Sequence, residues 1–258
     1  VLLPGLDEAL FLVRLPGTDG HVFGAIDVSG QKRTLDIGFL STGVFGQGSY
    51  GCASGPLLAD AFPVGEVGLS VAFTLGAGLT VGGDCAGPAP PQATHVMTGF
   101  MSLAGNSLSG TFQEIGEAAA TDLRIVPRSD GAWLVWSSGP VADATPWLNI
   151  QRLDFQGSPV GNVIVWNAPY EFGSVAATSF DDLLLVAWLQ KDSVGLSSPH
   201  VQVFAPDGAP TGVVDIAVTS AGTGRLELLS SPTSRAAVLA WTETVADPDL
   251  GDQIQLTR

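Results

Sequence analysis

Three carboxylates fall at related places in this sequence. Asp122 and Glu227 each stand fourteen residues before a tryptophan, Trp136 and Trp241, and Asp60 stands thirteen before Phe73; Ser174 takes the same place ahead of Trp188. Each aromatic sits in a short apolar segment that reads as the second strand of a repeated unit, so the carboxylates belong to the first strand. Where first strands line a central channel, such groups bind a cation or act as acid and base in glycoside hydrolysis, which uses two carboxylates about 5 to 9.5 Å apart. The competing reading is a hydrated polar channel without chemistry, in which the one-residue offset at Asp60 turns that side chain away.

The remaining reactive residues are few. His21, His95 and His200 open the third strand of their units, eight to ten residues before a turn glycine, where the other units carry Asn149 and Gln253. Copies on different units stand more than about 10 Å apart, far beyond zinc–nitrogen bonds near 2 Å, so a polar cap on the strand is expected and no metal site. Cys52 and Cys85 are the only two cysteines, each in a glycine-rich stretch. A disulfide between them is expected; closing that loop stabilises by roughly 3 to 4 kcal/mol on the chain-entropy model and implies an oxidising compartment. Two unpaired thiols in a cytosolic protein are the alternative. Cys52 falls in the insertion between the first and second units and Cys85 in the loop after the second unit's second strand. In an alternating sheet those loops emerge on the same face. Trp147 and Tyr170, in variable loops, are the aromatic candidates for stacking on a sugar, against an ordinary packing role. The sequence contains no nucleophile elbow, phosphate-binding loop or dinucleotide fingerprint, so no cofactor is expected.

The elements that position these residues repeat about every fifty residues, the size of a propeller blade. Leu134-Val135-Trp136-Ser137, Val186-Ala187-Trp188-Leu189 and Leu239-Ala240-Trp241-Thr242 are three copies, with fainter ones at Val71-Ala72-Phe73-Thr74 and Leu12-Val13-Arg14-Leu15. A hairpin with a glycine turn follows, as in Leu153-Asp154-Phe155-Gln156-Gly157 and Phe204-Ala205-Pro206-Asp207-Gly208. Four strands per unit predict an all-β fold: a β-propeller of about five four-stranded antiparallel blades in one domain over 1–258. The units run over about 1–40, 57–115, 121–167, 173–218 and 224–258, with a loop insertion at 41–56. The once-per-unit aromatics are expected between neighbouring blades.

Composition agrees with many short strands and tight turns: 33 glycines, 17 prolines and only 14% charged residues in 258. A net charge of -15 repels phosphate backbones, which excludes nucleic acid and anionic membrane as expected partners. No apolar run is long enough to span a bilayer as a helix.

The Leu-Val-Val-Trp-like strand, variable loop and strand ending Arg-x-x-x-x-Gly-x-Pro, best matched from Trp133 to Trp166, resemble the propeller repeats of large secreted proteins of myxobacteria and related bacteria. That resemblance implies a propeller fold and an extracytoplasmic setting (periplasm, cell surface or secreted), in a family largely without assigned activity. No Asp-box, kelch double glycine, Asp-x-Asp-x-Asp calcium loop or Gly-His to Trp-Asp pairing is present. The chain opens at Val1 inside a first strand and its fifth unit ends on a third strand. It is therefore expected to be a five-bladed ring with one three-stranded blade or a piece of a longer protein. The expected function is a non-catalytic module that binds a protein or glycan, or builds a larger surface protein. The alternative is a polysaccharide-acting enzyme using Asp60, Asp122 and Glu227.

Overall fold

A computed structural model describes residues 2–3, 8–14, 21–27, 32–34, 54–65, 68–76, 80–81, 84–85, 93–104, 107–117, 120–138, 147–167, 175–191, 197–215, 223–231, 236–244 and 252–257. They form antiparallel sheets. The first contains β1 (Leu2–Leu3), β2 (Glu8–Arg14), β3 (His21–Asp27) and β4 (Lys32–Thr34), paired in chain order. The second pairs β5 (Ser54–Val64), β6 (Gly68–Gly76), β9 (Ala93–Ala104) and β10 (Ser107–Glu117). Between β6 and β9 the chain makes a two-stranded ribbon of β7 (Thr80–Val81) and β8 (Asp84–Cys85).

The third sheet runs β11 (Ala120–Arg128), β12 (Gly131–Ser138), β13 (Trp147–Leu153), β14 (Pro159–Asn167). The fourth runs β15 (Val175–Phe180), β16 (Leu183–Lys191), β17 (Ser197–Phe204), β18 (Pro210–Asp215). The fifth has three strands, β19 (Thr223–Ser231), β20 (Ala236–Thr244) and β21 (Asp252–Thr257). The chain divides into two compact units, one of Val1–Ala120 with Leu153–Pro159, the other of Thr121–Arg152 with Val160–Arg258.

The second strand of a sheet is covered on both sides, so its sequence is apolar without alternation. Ala132, Trp133, Leu134, Val135 and Trp136 are all buried, as are Val186, Ala187 and Trp188. In the second unit one core packs Val126, Trp133, Val135, Leu148 and Ile150 of the third sheet against Val175, Leu184, Val186 and Phe204 of the fourth. Another packs Ala176, Ala187, Leu189 and Val201 against Leu226, Leu228, Leu239 and Trp241 of the fifth. Trp136, Trp188, Trp241 and Phe73 are buried, as their recurrence predicts. Trp166 of β14 meets Trp188 edge to face, with centroids 4.8 Å apart and planes at 69°.

Turn chemistry closes the hairpins. Asp181 and Asp182, with φ of 47° and 63°, make a two-residue turn with both central residues left-handed, the geometry that matches strand twist. The Gly157 and Gly208 amides donate to the Asp154 and Ala205 carbonyls at 3.0 and 2.8 Å, and both glycines have positive φ. A Cβ on Gly208 would stand 2.0 Å from Cδ1 of Ile164, and one on Gly157 would stand 2.6 Å from the Gly99 carbonyl oxygen. Glycine is favoured by conformation at both, and at Gly157 the unyielding Gly99 backbone demands it for space as well. Within the first unit the Gly157 carbonyl also accepts from Thr98 Oγ1 at 3.1 Å.

Candidate functional site

Asp122 lies near the start of β11, the edge strand of the third sheet. An edge strand leaves backbone groups on its open side unpaired, and side chains can satisfy them. Arg124, two residues on and thus on the same face, donates from Nη1 to the Leu123 carbonyl at 2.9 Å. This anchors a guanidinium beside the Asp122 carboxyl. Ser137 of β12 offers its hydroxyl to Asp122 Oδ2 at 3.4 Å, and the backbone N–H of Val175, opening β15, bonds to the same carboxyl.

These groups act in opposite directions. Burial pushes the Asp122 carboxyl above its ordinary 3.8, while Arg124, the Val175 amide and Ser137 each pull it down; burial prevails. A carboxylic acid that holds its proton more tightly than usual is suited to general acid catalysis. Trp147, 37% exposed, opens β13. First and third strands of an antiparallel sheet run the same way, so Trp147 and Asp122 lie toward the same end of their sheet.

The other two carboxylates occupy a different register. Asp60 pairs with Ala72 and Glu227 with Ala240, each the residue before the aromatic, whereas Asp122 faces Ser137, the residue after it. Counting back from the aromatic assumed hairpin turns of constant length. Two residues separate β11 from β12 but four separate β19 from β20. Asp60 is half-buried and accepts from the Ala61 N–H at 2.9 Å; Glu227 is exposed. Asp122 and Glu227 belong to one compact unit and Asp60 to the other. Ser174 and Tyr170 lie outside the described residues.

The histidines divide in the same way. His200 pairs with Trp188 and His21 with Arg14, but His95 pairs with Leu75, two residues beyond Phe73, and Gln253 with Glu243, two beyond Trp241. The expected common position is thus two positions. His200 stacks on Trp188 with centroids 5.8 Å apart and reaches Ser198 Oγ through Nε2 at 3.1 Å; His95 Nδ1 reaches Glu114 Oε1 at 2.9 Å. Among the described residues no three of His, Cys, Asp and Glu are grouped to hold a metal ion. Cys85 is on β8, within the connection between β6 and β9 where the sequence places it. Cys52 and the Cys85 side chain lie outside the described residues. No helix among the described residues is long and apolar enough to cross a membrane.

Sequence reasoning misses two buried glutamines. Gln151 Nε2 donates to the Arg152 and Val160 carbonyls and Gln202 Nε2 to those of Val203 and Gly212. Each holds the strand after the glycine turn. Their shared place, six residues before Gly157 and Gly208, is the signal that could have found them.

No model of a known protein family and no curated protein matches the sequence. Among solved structures, the chain is similar to an α-L-arabinofuranosidase from Lactobacillus brevis, with a TM-score of 0.50 and 10% identity over 97% of this chain and 86% of that one. The fold is a β-propeller. Its blades are the four-stranded sheets, the fifth having three described strands. An endo-arabinase from Bacteroides thetaiotaomicron VPI-5482 aligns with a TM-score of 0.44 at 11% identity, covering 97% of this chain and 92% of that chain. A GH43 endo-arabinanase from Bacillus licheniformis aligns at 0.43 and 10%, covering 99% and 91%.

Proposed function

We propose that this propeller is a carbohydrate-active enzyme of the extracytoplasmic space that cleaves glycosidic bonds in an arabinose-containing polysaccharide. The observation that carries the reading is Asp122: a half-buried carboxyl on a first strand, held by three blade groups and biased toward its protonated form. In the proposed reaction Asp122 donates its proton to the leaving glycosidic oxygen. Glu227, on the first strand of the fifth blade and open to water, acts as the second carboxylate, taking a proton from the water that attacks the anomeric carbon as the glycosidic bond breaks. Trp147 offers an apolar ring face to a neighbouring sugar. The similar L. brevis protein is an α-L-arabinofuranosidase, which makes arabinofuranosides the first substrates to try. The test is release of reducing sugar from arabinan and of nitrophenol from aryl arabinofuranoside, by wild type and by Asp122→Asn. Arabinan turnover lost in the variant supports the reading, and arabinan turnover that survives it removes Asp122 from the mechanism; nitrophenolate leaves without a proton, so release from the aryl substrate should fall much less.

A second reading, a glycan- or protein-binding module without chemistry, is favoured by the register difference that separates Asp122 from Asp60 and Glu227. It expects arabinan to be retained on affinity electrophoresis with no product formed, and Trp147→Ala to abolish the retention.

A further inference from the structure

We propose that Arg124 is a positioning residue whose guanidinium, anchored to the Leu123 carbonyl of β11, sets the charge balance at the Asp122 carboxyl. The inference rests on the reading of Asp122 as the working acid and names what controls it. Three observations carry it. Arg124 lies two residues from Asp122 on one strand face, and its Nη1 is tied to the Leu123 carbonyl between them at 2.9 Å. That bond uses a backbone acceptor of an edge strand, so the cation is held in place rather than sweeping through solvent. The other groups that reach Asp122 are neutral: Ser137 from β12 and the Val175 amide from β15. Among the described residues Arg124 is therefore the charge that opposes burial at this carboxyl.

A general acid works best when its proton affinity is matched to the working pH. Burial alone would leave Asp122 a reluctant donor; a fixed cation beside it favours the carboxylate that remains after proton transfer. The side chain thus acts through Asp122 and touches no substrate in this role.

The experiment follows the Asp122 carboxyl carbon by NMR across pH in the full chain, assigned by its loss in Asp122→Asn. Wild type is compared with Arg124→Gln and Arg124→Lys. Removal of the charge raises the Asp122 midpoint, and lysine, which keeps the charge, leaves it below that of the glutamine variant. Where Arg124→Gln does not fold, Arg124→Met replaces it, since the apolar stem over the strand is retained. A midpoint that stays at the wild-type value without the charge, or that moves equally in the lysine and neutral variants, overturns the inference. The titration is independent of turnover. A midpoint that moves as expected in a protein inactive on every arabinofuranoside upholds the role of Arg124 and sinks only the enzymatic reading.

Discussion

The two ends of the third and fourth blades treat their polar groups in opposite ways. At the turn end, Asp182 accepts the Ser129 amide at 2.8 Å and its hydroxyl at 2.7 Å, and the Ser179 hydroxyl donates to the Pro127 carbonyl. Arg128 lies over the Trp133 ring, pairs with Asp130 and donates to Pro206 of the fourth blade at 3.0 Å, while Arg152 shares Asp130 at 3.2 Å. Here the bonds to Ser129 hold the Asp182 carboxyl below its ordinary 3.8. At the other end burial raises Asp122. A lowered carboxyl is one the fold uses to hold itself together; a raised one is kept at a cost to the fold. The difference teaches that polar scaffolding is concentrated at the tight turns, while the end with the longer connections holds a carboxyl that does not repay its burial.

The sharpest way to break this division is at Asp122. Asp122→Asn is expected to lower kcat/KM on arabinan by about 10²- to 10⁴-fold, the usual worth of a positioned acid. An unchanged rate would make the open end as structural as the turn end. Next in size is the fit of the turns. Gly157→Ala meets the immovable backbone of Gly99 with φ at 74°; it should destabilise by about 2 to 5 kcal/mol in urea unfolding. Gly208→Ala meets the flexible tip of Ile164 and should cost less, about 1 to 3 kcal/mol. Equal losses would show that φ, not space, governs both.

Asp182→Ala comes third. Its carboxyl is largely in water, so the loss is expected at only about 0.5 to 1 kcal/mol at neutral pH. Because its folded pKa is depressed, this contribution is present above the ordinary 3.8 and vanishes as pH falls through the lower folded value. Wild type and variant should therefore converge in acid, which thermal melts at several pH values will read. Smallest, and opposite in sign, is the effect of Asp122→Asn on stability. The folded protein binds the Asp122 proton more tightly than the unfolded chain does, so stability declines as pH rises from 3.8 through the folded value. The asparagine variant should melt no lower than wild type at pH 7. A marked drop would give Asp122 a structural duty like that of Asp182.

The blade was legible in the sequence because burial on both faces forces an apolar second strand: Trp136, Trp188, Trp241 and Phe73 mark the four blades with an aromatic there, and all are buried. The glycine turns were legible because φ above zero favours glycine at both Gly157 and Gly208, and at Gly157 the Gly99 backbone leaves no room for a side chain. Register was not. It depends on hairpin turn length, and the count that aligned Asp122 with Glu227 absorbed a two-residue difference between turns; His95 and His200 were merged in the same way. Arg124 escaped notice because a lone arginine on an edge strand carries no pattern. Its meaning comes from the Leu123 carbonyl and from the carboxyl two residues away.

The contact between Trp166 and Trp188 gives this chain an optical signature of its own. Two indoles with centroids 4.8 Å apart and planes held at 69° couple their ultraviolet transitions, and His200 stacked on one of them makes that environment still more asymmetric. Near-ultraviolet circular dichroism should carry a strong signal from this pair, dependent on fixed packing between the third and fourth blades and not on the strands alone. Each variant above can thus be checked at the outset: a chain that keeps its strands but loosens its blades goes silent in that band.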